Sequence, residues 1–110
     1  RKFGRIVNIT SISVKKPMFG LDLSSGARAG LTAFLSGVAR SVAEHNVTIN
    51  NILPGFIDSL PTKEEFLKRI PLQRYGKVSE VSTVVEMLAS EGGGYITGQN
   101  IRVDGGFGIS

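Results

Sequence analysis

Arg5-Ile6-Val7-Asn8-Ile9-Thr10-Ser11, followed a short way on by Leu23-Ser24-Ser25-Gly26-Ala27-Arg28-Ala29-Gly30-Leu31, decides how this chain is read. The first stretch is Ile/Val-rich with Asn8 as its only interior polar residue before the terminal hydroxyls. That is the pattern of a parallel strand covered on both faces. The second stretch opens a helical period in which Leu31, Phe34, Leu35, Val38 and Val42 fall on one stripe. Between them, Ser13 to Asp22, with Pro17 and Gly20, reads as a loop. A strand, a loop and a helix in this order mark the place where an open α/β sheet puts its chemistry.

Outward from that helix the pattern stays α/β. A second stripe of small residues, Ala27, Gly30, Gly37 and Ser41, would let another helix approach closely and suits a subunit contact. The helix is expected to end near His45-Asn46, because asparagine tolerates the left-handed capping conformation. Val47 to Leu53 is β-rich and stops at Pro54-Gly55, which predicts a second strand. Thr62-Lys63-Glu64-Glu65 has the form of a capping box and predicts a short helix to about Arg69, burying Phe66, Leu67 and Ile70 and ended by Pro71. Ser79 is a second candidate N-cap, before the stripe Val81, Val84, Val85 and Leu88, and Gly92-Gly93-Gly94 stops that helix. Gln99 to Asp104 predicts a last short strand closed by Gly105-Gly106. The sum is a parallel sheet of about three strands with flanking helices, whose first strand needs a further partner to cover its edge.

Composition narrows the function classes. At 110 residues and 41% hydrophobic content the chain is a single domain's worth at most. The absence of cysteine excludes a disulfide framework and a thiolate metal site, and a lone histidine, His45, excludes a His-rich one. His45, at the far end of the long helix, reads as a capping or surface residue. No run approaches the roughly 18 apolar residues of a membrane span, and no leader pattern is present, so a soluble cytoplasmic protein is expected. The net charge of +4 comes from 13 Lys and Arg spread along the chain, a solvated surface and not a nucleic-acid face. The start at Arg1-Lys2-Phe3, without methionine and almost directly into a strand, suggests a piece of something longer.

The 14 glycines raise the question of phosphate binding. A dinucleotide fingerprint must lie between a strand and a helix, so that backbone N–H groups face the pyrophosphate. Gly92-Gly93-Gly94 follows a helix and Gly105-Gly106 follows the last strand, so both read as stops. A pyrophosphate site, if there is one, lies outside this chain.

The ordered set Gly4 to Ser11, Arg28-Ala29-Gly30-Leu31, Ile49 to Ser59, Pro71-Leu72-Gln73-Arg74-Tyr75-Gly76 and Tyr95 to Gly106 resembles the C-terminal half of a short-chain dehydrogenase/reductase. The nearest group is the bacterial 3-oxoacyl-carrier-protein reductases. The resemblance covers almost the whole chain. It implies residues 1–110 as one partial domain, the fifth to seventh strands of a doubly wound Rossmann-type parallel sheet. It also implies NAD or NADP as the full-length cofactor, a small carbonyl or alcohol substrate, and a homo-oligomer without nucleic-acid or membrane partners. The glycine-rich loop, the adenosine-ribose pocket and the Asn-Asn-Ala-Gly motif of the family have no counterpart here, so neither cofactor is expected to bind this chain tightly.

The same resemblance assigns site positions. Ser11 stands where the family serine holds the substrate oxygen, although a strand-end serine that caps a turn reads equally well. Thirteen residues on, the family's tyrosine acid/base is replaced by Ser24, and four beyond that its lysine is replaced by Arg28. A phenol near pKa 10 can be tuned into working range, whereas a serine hydroxyl is no comparable proton donor. Arg28 keeps a positive charge but brings a planar fork, so its ribose contacts differ from a lysine's. Ser24 also reads as a plain helix N-cap. Neither Tyr75 nor Tyr95 lies in the active-site segment. Lys15, Lys16 and Asp22 flank the site in the loop and could carry protons or be solvated charge.

In relatives, backbone groups at Ile57 and the hydroxyl at Ser59 bind the nicotinamide carboxamide, which makes Pro54, Gly55, Ile57 and Ser59, with Arg28, the expected cofactor-side residues. Alternatively, Pro54-Gly55 merely ends a strand. Two functions stay open: a fragment of an NAD(P)-dependent oxidoreductase, inactive as the chain stands, and a non-catalytic pseudo-enzyme or assembly module on the same fold. The retained Ser11 and Pro-Gly loop point to the first, and the Ser24/Arg28 pair to the second.

Overall fold

The computed structural model describes residues 3–10, 22–59 and 61–109, with backbone alone for 22–29, 32 and 109. Three strands, β1 (Gly4–Ile9), β2 (Val47–Pro54) and β3 (Asn100–Val103), form a parallel sheet in the order β1-β2-β3. Helices α1 (Asp22–Val42), α2 (Glu64–Leu67) and α3 (Val78–Ala89) connect them. The central strand carries the core: Thr48 to Leu53 are buried at every position, as expected for a parallel strand.

β1 departs from expectation in two ways. It ends at Ile9, although Thr10 still donates its N–H to Ile52 O at 2.8 Å. Ser11 and the loop at 13–21 lie outside the described residues. Nor is β1 covered on both faces, since Ile6 and Ile9, on opposite faces by strand alternation, are 45% and 60% exposed. The reason is positional: β1 is an edge strand among the described residues, pairing only with β2.

Helix α1 begins at Asp22, so Ser24 sits inside the first turn and not at the cap position. Its sheet-facing side is Ala39, buried, with Leu35, Val38 and Val42 half-buried. Leu31 and Phe34, expected on the same buried stripe, are 51% and 67% exposed. The helix passes through a short 3₁₀ turn, Ala43–His45, to Asn46 in the left-handed conformation (φ 61°), whose N–H bonds Ala43 O at 3.0 Å. The asparagine stop is where the sequence puts it.

Neither expected N-cap forms. The residue before α2 is Lys63, and no capping side chain serves this helix. The Lys63 N–H instead goes to the Tyr75 hydroxyl at 2.9 Å, so a long-range partner replaces the Thr62 box. Ile70 is buried as expected, whereas Phe66 and Leu67 are only half-buried. Ser79 lies within α3, because Glu80 reaches back to accept the Lys77 N–H at 2.9 Å and starts the helix earlier. The last turn of α3 runs into a 3₁₀ turn, Glu91–Gly93, where Gly93 presses so closely on Met87 O that a side chain has no room.

Buried and half-buried asparagines mark the sheet. Asn8, Asn51 and Asn100 are register partners across all three strands. Asn51 donates from Nδ2 to Asn100 Oδ1 at 2.9 Å, whereas Asn8 Nδ2 and Asn51 Oδ1 are buried without partners. Asn50 is fully buried, donates to Ile96 O at 2.9 Å and accepts the Gln99 N–H at 3.1 Å, lashing the 96–99 turn to the central strand. An amide is tolerated at such a depth because its polar atoms are bonded.

Candidate functional site

The parallel register brings the C-terminal ends of the strands together, Ile9 beside Ile52 and Pro54 beside Val103. From there Pro54-Gly55-Phe56-Ile57-Asp58-Ser59 leaves the sheet. Gly55 donates its N–H to Val103 O at 3.0 Å, and its Cα lies so near β3 that a methyl group there would stand 2.8 Å from Asp104 Cβ. Glycine is needed for that approach.

Two residues on, Ile57 forms an isolated parallel bridge with Gly76. Asp58 N–H donates to Gly76 O and Gly76 N–H donates to Phe56 O, both at 2.9 Å. The bridge uses the peptide groups on either side of Ile57, so the N–H and C=O of Ile57 itself are directed to the other edge of the segment. The Phe56 ring anchors the loop in an aromatic cluster. It stacks on Phe66 at 4.8 Å between centroids, meets Phe107 edge-on at 5.3 Å and lies 5.8 Å from Tyr75.

A cleft of about 380 Å³ lies along this loop, bounded by Gly55, Ile57 and Ser59 on one side and by Pro61, Lys63 and Phe66 on the other. Three of the four expected loop residues therefore line one cavity. Ser59 is exposed, its hydroxyl open to a ligand or to water. Ser24 and Arg28 lie in the first two turns of α1, one turn apart and on one face, with their side chains outside what is described. Ser11, Lys15 and Lys16 fall outside the described residues altogether.

Tyr75 and Lys63 were not expected here. Both line the cleft and bond each other, and the signal available for Tyr75 was its place in the Pro71 to Gly76 segment. Tyr95 is fully exposed and the His45 side chain is half exposed, its Nε2 3.5 Å from Glu44 Oε1. Below the loop, Arg74 grips Glu80 with two bonds of 2.8 Å each. That guanidinium, with the Lys77 N–H, holds the Glu80 carboxyl down at about 2. No cluster of three or more metal-ligating side chains occurs among the described residues, and no helix there is long and apolar enough to cross a membrane.

Comparison with known proteins decides the family. The family model described as enoyl-(acyl carrier protein) reductase matches residues 1–108. The chain belongs to the short-chain dehydrogenase/reductase family. Among relatives in this family, it is 38% identical over 116 residues to a 3-oxoacyl-acyl-carrier-protein reductase of Pseudomonas aeruginosa, covering 99% of this chain and 47% of that protein. It is 41% identical over 111 residues to a Synechocystis 3-oxoacyl-acyl-carrier-protein reductase, covering 96% of this chain and 45% of that one. The crystal structure of an NADPH-dependent reductase involved in bacilysin biosynthesis matches with a TM-score of 0.88 at 32% identity, over 96% of this chain and 47% of that one. The short-chain dehydrogenase/reductase chain described here thus spans about half the length of the curated relatives it matches. Its three parallel strands and flanking helices form part of the family's Rossmann-type sheet, as the motifs implied.

Proposed function

We propose that this chain is the C-terminal portion of an NAD(P)-dependent oxidoreductase that interconverts a carbonyl and an alcohol, and that the 110 residues by themselves are catalytically silent. The observation that carries the reading is the Pro54–Ser59 loop. It leaves the C-terminal end of the central strand with the Ile57 peptide turned away from its bridge to Gly76 and with Ser59 beside it on the cleft. One N–H, one C=O and one hydroxyl along a cavity of about 380 Å³ match the donors and acceptors of a flat carboxamide-bearing ring. The residues present therefore fit the nicotinamide end of the cofactor, which when bound supplies the hydride.

In this reading each remaining residue has a defined task. Gly55 lets the loop lie against β3, Ile57 orients the ring through its peptide, and Ser59 holds the carboxamide. Ser11 holds the substrate oxygen, and Arg28 supplies positive charge to the nicotinamide ribose. Ser24 stands at the proton-donor position without a phenol's acidity, so proton transfer is the step that this chain is least equipped to perform. The reading includes a cytoplasmic homo-oligomer that contacts neither nucleic acid nor membrane, and the exposed Ile6, Ile9, Leu31 and Phe34 support its self-association alone.

Titration of the chain with NADPH, followed by cofactor fluorescence, tests it. No saturable submicromolar binding is expected from the chain alone, with binding gained when the upstream reading frame supplies a strand, a glycine-rich turn and a helix. Tight binding to the 110 residues overturns the claim of an incomplete site. A non-catalytic assembly module is the second reading, favoured by the Ser24/Arg28 pair and by the outer face of α1. There Phe34 is exposed, and side chains added at Gly30 and Gly37 would meet only open space.

A further inference from the structure

Phe3, Ile6 and Ile9, spaced along β1 and the residue before it, are 46%, 45% and 60% exposed. Strand alternation puts Ile6 on one face of the sheet and Phe3 and Ile9 on the other. The outer edge of this strand is open, since β1 pairs only with β2 among the described residues. Nor does Gly4-Arg5-Ile6-Val7-Asn8-Ile9 contain a proline or a lysine, the residues that commonly blunt such an edge.

The backbone shows which residues face outward. Gly4 donates its N–H to Asn46 O at 3.1 Å and Thr10 donates to Ile52 O at 2.8 Å, so the even-numbered residues turn their polar groups to β2. In a parallel pair the alternate residues turn theirs the other way. The N–H and C=O of Arg5, Val7 and Ile9 are therefore aimed at the open edge.

We propose that this edge is a self-association surface, on which β1 pairs antiparallel with β1 of a second copy about a two-fold axis normal to the sheet at Ile6. Such an axis leaves both faces of the sheet continuous, so odd-numbered residues oppose odd and even oppose even. Centred on Ile6, it sets Ile6 against its own counterpart, Arg5 against Val7 and Phe3 against Ile9. Each exposed apolar side chain of the strand then meets another. Arg5 and Val7 exchange hydrogen bonds, and the two Ile6 residues form a pair without them, the kind in which side chains come closest.

Neighbouring registers lose this match. An axis at Arg5 brings two arginines face to face, and an axis at Val7 sets Ile6 against Asn8 and leaves Phe3 opposite position 11, past the end of β1. In the Ile6 register Arg5 is clear of its counterpart. Its guanidinium is drawn back from the edge, with Nε on Ser90 O at 3.1 Å and Nη1 on Asn46 O at 3.3 Å. A strand supplied from upstream in a longer protein would compete for the same edge, so the pairing is assigned to the 110-residue chain and is independent of what the cleft binds.

Sedimentation equilibrium of the chain at tens of micromolar should show a reversible dimer. Ile6→Lys and Ile6→Glu each place like charges opposite one another at the axis, and each should weaken the dimer by about tenfold or more. Mixed together, the two variants should pair with each other and recover the association, which happens only where position 6 meets itself. Far-UV circular dichroism checks that both keep the fold. The chain has no cysteine, so single thiols give a second readout. Under mild oxidation Ile6→Cys should cross-link two copies, whereas Ile9→Cys, whose counterpart lies at the far end of the paired strands, should not.

A monomer at every concentration overturns the pairing. So does a dimer that Ile6→Lys leaves intact and Phe34→Lys abolishes, since the contact would then lie on the outer face of α1. Cross-linking at Ile9 and not at Ile6 overturns the register. None of these results bears on the nicotinamide reading, which the NADPH titration decides separately.

Discussion

Gly55 and Asp104 meet so closely that a Cβ on the glycine would lie 2.8 Å from the aspartate Cβ and 3.0 Å from its Cα. Asp104 has little freedom to yield, since Oδ1 accepts the Gly106 N–H at 3.0 Å and Oδ2 the Gly108 N–H at 2.8 Å. The loop that forms the cleft and the turn after the last strand are thus fitted to each other. Gly55→Ala is expected to lower stability by about 1–3 kcal/mol, the usual cost of overpacking a site that cannot relax. Urea unfolding monitored by far-UV circular dichroism would show a lower midpoint at unchanged slope, and an unchanged midpoint would mean the contact is slack.

The hydrogen bond from Asn51 Nδ2 to Asn100 Oδ1 joins β2 and β3 at a residue only 3% exposed. Asn51→Asp replaces a buried donor by a carboxylate facing the acceptor Asn100 Oδ1. Near neutral pH this should cost about 3 kcal/mol, since a buried partner is lost and a charge is left unpaired. Protonating the new carboxyl restores a donor, so the deficit relative to the native chain should shrink at about pH 4. A deficit independent of pH would point to packing and not to charge.

Acid stability carries the mark of Glu80. The hydrogen bonds from Arg74, then the Lys77 N–H, hold its carboxyl at about 2 against an ordinary value of 4.5. The folded state binds that proton less readily than the unfolded one, so the contribution is fully present above 4.5 and is lost as pH falls from there towards about 2. Glu80→Gln should unfold more readily than the native chain at neutral pH, and the two should converge as pH drops through that window. Parallel acid limbs in the two proteins would show that the pair contributes nothing to folding.

A phenol and an ammonium restored at positions 24 and 28 are expected to bring a gain of function. In a protein that carries the cofactor-binding half, Ser24→Tyr with Arg28→Lys should raise carbonyl reduction by at least about a hundredfold, the low end of what a positioned acid contributes. NADPH oxidation with a small ketone or 3-oxoacyl thioester is the assay. Intact cofactor binding with no gain in rate would remove the donor explanation.

Much of the fold was legible because it is written locally. Asn46 in the left-handed conformation, the run Val47 to Leu53 and the stop at Pro54-Gly55 depend on near neighbours, and these features stand where their residues place them. The helix starts did not follow the same rule. Thr62 and Ser79 looked like caps, yet no side chain caps α2, whose Lys63 N–H goes to the Tyr75 hydroxyl twelve residues on, and at the start of α3 it is Glu80, itself held by Arg74, that takes the Lys77 N–H. The apolar period of α1 likewise marked Leu31 and Phe34 as buried, whereas both are exposed and only Ala39 of this helix is buried among the described residues.

By itself the sequence determined the order of elements, the parallel three-stranded sheet and the family. These rest on residue type and spacing, which a linear chain displays in full. Only the tertiary structure decided which residues close the cleft, that Gly55 lies against Asp104 and that Tyr75 holds Lys63. Such contacts join segments distant along the chain, and their partners are set by the three-dimensional course of the backbone.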